Sequence, residues 1–144
     1  VEACPTLTRL VQIGVRDFGI AEDAFTRQSG GRVHPLPDFH LARATQGEGI
    51  ASAFSEAIER LPERVWVSFD IDGLDPSLCP GTGTPFPGGL RWRETQLLVD
   101  RIAASGRQVL GFDLVEIGPT FWDGLVAAKV FYMLAGLALG TRPA

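Results

Sequence analysis

Residues 65–90, VWVSFDIDGLDPSLCPGTGTPFPGGL, drive an apolar strand straight into two aspartates and then into a loop stiffened by glycine and proline. Successive side chains on a strand point to opposite faces, so Asp70 and Asp72 are expected on the same side. Two carboxylates so placed repel each other unless a proton or a cation lies between them. A dinuclear divalent site meets that demand, and hard oxygen ligands suit manganese or magnesium. The stretch therefore reads as strand, ligand pair and supporting loop.

Two other acidic motifs fit less well. An EF-hand loop needs Gly at its sixth position and Glu at its twelfth, but counting from Asp70 those places hold Asp75 and Gly81. The run FDIDGLD (69–75) is close to the Asp-x-Asp-Gly-Thr motif of haloacid-dehalogenase phosphohydrolases, whose first Asp is a nucleophile. Here Leu74 stands where that Thr should be, and the later Lys and acidic pair of that motif have no counterpart except Lys129.

Three apolar runs, 10–15, 65–69 and 109–114, are rich in β-branched or aromatic residues and end in polar ones, which predicts strands. Between them the spacing predicts helices. In 49–61 Ile50, Phe54, Ala57, Ile58 and Leu61 recur every three or four residues, and in 93–104 Leu97, Leu98, Ile102 and Ala103 do the same, with Gly106 placed as terminator. Strands alternating with helices imply an α/β fold with a parallel sheet, in which ligands gather beyond the carboxyl ends of the strands. Arg16 and Asp17, Asp70 and Asp72, and Glu116 all fall at such ends. Residues 29–49 hold several glycines and prolines and both histidines, and are expected to cross the surface as an irregular connection.

The composition is that of a globular domain, 45% hydrophobic and 21% charged, with a formal charge of −4. No basic stripe is available to neutralise a phosphate backbone, so nucleic acid is not an expected partner. The most apolar segment, 125–139, is interrupted by Lys129 and falls short of the roughly 20 residues of a membrane span, so it is expected to be a buried helix. The start, VEACPTLTRL, lacks the basic and apolar blocks of a secretory signal, and Cys4 and Cys79 follow no metal or redox spacing, which points to a reducing cytoplasm. Cys79 reads as a small buried residue in a tight loop.

The run Ser68-Phe69-Asp70-Ile71-Asp72, then Asp75-Pro76, then Pro80-Gly81-Thr82-Gly83-Thr84-Pro85 and Gly88-Gly89, resembles the signature of the ureohydrolases, the arginase, agmatinase and formiminoglutamase enzymes. VQIGVRD (11–17) resembles an earlier strand of that family, GFDLVEIGP (111–119) its last strand, and WDGLVAAKVFYML (122–134) the closing helix of its agmatinase-like branch. The resemblance implies a three-layer, parallel-sheet arginase-like fold. It also implies that residues 1–144 form the C-terminal half of a single ureohydrolase domain. The family's Gly-Gly-Asp-His and Asp-x-His-x-Asp metal motifs precede the strand that VQIGVRD resembles.

On that resemblance the complete site would hold two Mn²⁺ ions that acidify a water, and the hydroxide would attack the carbon of a guanidino substrate. Asp70 and Asp72 are implied metal ligands. Glu116 is implied as the anchor of the substrate guanidinium, which a carboxylate grips best as a bidentate fork; the plainer reading is a salt-bridge partner at a helix entry. Arg16 and Asp17 are implied near the substrate tail. His34, Asp38 and His40 form an H-x-x-x-D-x-H cluster, but a Pro-rich loop offers nothing to fix its geometry, and it is not expected to replace the upstream ligands. Asp113 is expected to be structural, as are Asp75, Pro76 and the glycines and threonines of 81–89. Such a chain is expected to be inactive alone and to self-associate or to need the missing N-terminal half. A non-catalytic remnant or accessory subunit is the competing class.

Overall fold

The computed structural model describes residues 3–45 and 49–142, which divide into two compact units, 1–62 and 63–144. In the first, strand β1 (Leu10–Val15) leads to helix α1 (Ile20–Gln28), strand β2 (Val33–Pro37) and helices α2 (Asp38–Ala44) and α3 (Ile50–Glu59). The strands pair in parallel, with Leu10 opposite Val33 and Ile13 opposite Leu36. The amphipathic spacing read in 49–61 gives α3, whose Phe54, Ala57 and Ile58 are buried.

Residues 29–49 are not an irregular connection: they contain β2 and α2. Pro35 and Pro37 lack an N–H, yet they do not break the ladder. The Arg32 carbonyl accepts from the Leu10 N–H at 2.7 Å, so even-numbered residues of this strand turn their polar groups to β1 and the prolines face the opposite edge.

The second unit runs from strand β3 (Arg64–Asp70) through a one-turn 3-10 helix (Ile71–Gly73) and a long loop to helix α4 (Trp92–Ala104), strand β4 (Gln108–Val115) and helix α5 (Phe121–Gly140). β3 and β4 are parallel, with Ser68 opposite Asp113 and Asp70 opposite Val115. α5 packs on β4 and α4. Beyond α4, Gly106 takes the left-handed backbone (φ 75°) that its place as helix terminator calls for.

Residues 125–139 belong to a helix that is buried on one side only. Asp123, Val126, Ala127, Val130, Leu134 and Leu137 form its buried stripe, while Phe121 and Tyr132 are 87% and 75% exposed. At 20 residues α5 is long and apolar enough to cross a membrane by length and composition. Its stripe, spaced by three and four residues and packed on β4 and α4, is that of a core helix.

Candidate metal and guanidinium site

The site is built at the carboxyl ends of β3 and β4. Asp70 is the last residue of β3, but Asp72 does not lie on the strand, and the alternation argument fails there: Asp72 sits in the 3-10 turn. What brings the two together is a side-chain cap, the Asp72 N–H donating to Asp70 Oδ1 at 3.0 Å. The turn follows because Ile71 is fully buried, which pins the chain between the two acids.

The loop after the turn holds the carboxylates from above. Thr84 Oγ1 donates to Asp72 Oδ2. Thr82, itself buried, donates from Oγ1 to the Glu116 carbonyl at 2.8 Å. A methyl at Gly83 would stand 3.3 Å from Glu116 Oε2, so this residue is small where the carboxylate comes close. Glu116 follows the last residue of β4 and is held at φ 59°, the only non-glycine residue described with left-handed backbone.

Electrostatics tie the acids together. Burial raises the pKa of Asp70; the Asp72 N–H opposes that, while the negative charges of Asp72 and Glu116 add to it. Asp70 thus feels both other negative charges at one rim, and a cation or a proton relieves the repulsion. The donors fit a hard divalent ion in kind. They fall short in number, since among the described residues no group of three His, Cys, Asp or Glu side chains is placed to hold a metal.

Of the remaining residues singled out in the sequence, five belong to the first unit. Arg16 and Asp17 follow β1 in the first unit, the former half-buried and the latter exposed. His34 lies on β2 and contacts Arg9, its Nε2 being 3.3 Å from Nη1; Asp38 opens α2 and His40 lies within it. Cys79 is fully buried and its Sγ donates to the Ile71 carbonyl at 3.1 Å, which anchors the loop to the turn. Asp75 Oδ1 accepts from both the N–H and the Oγ of Ser77, at 2.9 and 2.6 Å. Asp113 accepts from Trp66 Nε1 and Ser68 Oγ, each at 2.6 Å, and these donors hold its pKa below the ordinary value.

One buried side chain that ties the loop to the last helix was missed from the sequence. Asp123 is fully buried near the start of α5 and accepts from the Gly81 N–H at 3.1 Å and the Thr120 N–H at 3.2 Å, as well as from Thr120 Oγ1. Thr120-x-x-Asp123 is a capping box, a signal legible in the chain.

The chain matches the arginase family over residues 1–136. It is 35% identical to the N(1)-aminopropylagmatine ureohydrolase of Thermus thermophilus over 130 residues, 89% of this chain and 41% of that protein. It is 37% identical to the guanidinopropionase of Pseudomonas aeruginosa over 125 residues, 85% of this chain and 37% of that protein. The native arginase structure from Bacillus caldovelox superposes with a TM-score of 0.74 at 30% identity, over 96% of this chain and 45% of that one. The chain thus spans about two fifths of the length of the curated relatives it matches. The family match, the identities and the shared α/β fold together establish that this chain belongs to the arginase family.

Proposed function

We propose that this chain supplies part of a manganese-dependent hydrolase site for linear guanidino compounds, with Asp70 and Asp72 as metal ligands and Glu116 as the guanidinium anchor. The observation that carries this reading is the placement of those three acids around one loop, where the Asp72 N–H caps Asp70, Thr84 holds the Asp72 carboxylate and Thr82 holds the Glu116 backbone. Bound manganese would supply Lewis acidity and an activated water. The chain's own residues would do the rest. Thr84 orients Asp72, and Thr82 holds the Glu116 backbone so that its carboxylate can take a planar guanidinium as a two-point fork. Arg16 and Asp17 would meet the substrate tail.

The Trp122-Asp123-Gly124 start of the last helix favours an agmatinase-like substrate over arginine, and guanidinopropionase and the aminopropylagmatine ureohydrolase are relatives named for guanidino substrates. We place the protein in the cytoplasm, in keeping with Cys4 and Cys79, which lie far apart and follow no disulfide or metal spacing. Its partner would be an N-terminal ureohydrolase half or a second copy. The prolines close the outer edge of β2, whereas among the described residues the outer edges of β1, β3 and β4 pair with no other strand and can accept one. A second reading, a non-catalytic piece, draws on the shortage of ligands.

The test is urea release with added Mn²⁺ from agmatine, arginine and 3-guanidinopropionate, using the 144-residue chain alone and mixed with a segment carrying Gly-Gly-Asp-His and Asp-x-His-x-Asp. Light scattering coupled to size exclusion accompanies it. We expect no turnover alone, turnover in the mixture, and its loss in Glu116→Gln with metal content unchanged. A monomer that releases urea unaided refutes the half-site; a mixture that neither binds Mn²⁺ nor releases urea supports the non-catalytic piece.

A further inference from the structure

We propose that Asp123 is a positioning residue for the carboxylate site, clamping the 81–84 loop so that Thr82 and Thr84 can hold Glu116 and Asp72. The inference rests on the reading of Asp70, Asp72 and Glu116 given above, and it adds a residue that reaches neither metal nor substrate. A fully buried carboxylate is costly unless its lone pairs are filled, and here they are filled from two directions. Thr120 belongs to the start of α5, whereas Gly81 belongs to the loop, 42 residues before Asp123.

The surroundings are shaped to admit nothing else. A methyl at Gly81 would stand 2.8 Å from Thr120 Cγ2 and would collide with the Asp123 carboxylate, and a methyl at Gly118 would stand 2.7 Å from Asp123 Oδ2 and collide with the Gly81 carbonyl. Gly81 is therefore required by the approach of the carboxylate, and Gly118 chiefly by the Gly81 backbone that this carboxylate holds. From Gly81 the restraint passes to its neighbours. Thr82 holds the Glu116 carbonyl, Thr84 holds the Asp72 carboxylate, and Gly83 abuts the Glu116 carboxylate. A capping box alone needs only Thr120 and Asp123; the bond to Gly81 is surplus to helix capping and is what couples the helix to the site.

The experiment uses the 144-residue chain, isotope-labelled for NMR, titrated with MnCl₂. It reads paramagnetic broadening at the Asp70–Asp72 amides and the chemical shift of the Glu116 amide. Asp123→Ala removes the acceptor of the Gly81 N–H together with the cap, and Thr82→Val cuts the next link if Asp123→Ala does not fold. We expect either variant to move the Glu116 amide and to raise the Mn²⁺ midpoint about tenfold. Val130→Ala, at a fully buried position of the same helix, is the control for general destabilisation and should change neither. Folded variants with the Glu116 shift and the midpoint of the parent overturn the inference. If the parent chain shows no broadening confined to Asp70–Asp72, the two carboxylates do not hold the ion without the N-terminal segment, and the Glu116 shift alone decides the role of Asp123.

Discussion

Glu116 carries a backbone conformation that its side chain does not favour, and the cost can be measured. At φ 59° an L-residue pays about 1–2 kcal/mol relative to glycine, from the approach of Cβ to the following carbonyl. Glycine in turn loses about 0.4–1 kcal/mol through the greater freedom of its unfolded chain. The side chain of Glu116 is exposed, so its removal costs little packing. Glu116→Ala keeps the strain and Glu116→Gly relieves it, so glycine is expected to be the more stable of the two by about 0.5–1 kcal/mol. For a chain of this size that is a difference of about 1–4 °C in melting temperature. Both variants remove a negative charge from beside Asp70, and that gain cancels in the comparison. Thermal and urea unfolding of the two proteins side by side is the assay. If Glu116→Ala is as stable as Glu116→Gly, residue 116 does not hold left-handed backbone, and the claim that Thr82 fixes the anchor loses its basis.

Thr84→Val should weaken Mn²⁺ binding about tenfold by isothermal titration while leaving the melting temperature unchanged, since it removes the hydroxyl that orients Asp72 at an exposed loop position. Acid should destabilise the fold through Asp113 and Asp123, whose hydrogen-bond donors set them below the ordinary value of 3.8. Their stabilisation is complete above that unfolded value and is lost as pH falls through the folded ones, so Asp123→Asn should flatten the acid limb of a stability profile below about pH 4. Trp66→Phe deletes the indole N–H that donates to Asp113 at 2.6 Å and should cost about 0.5–1.5 kcal/mol in urea unfolding; no change would mean that Ser68 alone suffices to hold that carboxylate.

What the sequence disclosed depended on whether a residue's surroundings lay nearby in the chain. The strands at 10–15, 65–69 and 109–114 and the helix beginning at Ile50 were legible because local periodicity carries them. β2 was not, because Pro35 and Pro37 read as breakers until the parity of its ladder with β1 is known. α5 is apolar on nearly every side, so its pattern could not say which face is covered; contacts with β4 and α4 decide that. The identity of the acids was equally legible, but the geometry that joins Asp70 to Asp72 was not. A strand was expected to continue where the Asp70 side chain instead captures the Asp72 N–H and turns the chain.

The same distinction separates the acids of the site by role. Asp123 has its lone pairs filled by Gly81 and Thr120, and its pKa is lowered, chiefly by Thr120, despite complete burial. Asp70 has one backbone donor and two negative neighbours, and its pKa is raised, chiefly by burial. Donor supply pushes the two apart. A carboxylate saturated by the protein is committed to structure, since a cation would have to displace bonds already made. A carboxylate crowded by other negative charges gains most from a cation. On the proposed reading Asp70 and Asp72 would take the metal while Asp123 serves the fold, although all three are aspartates within or against one loop.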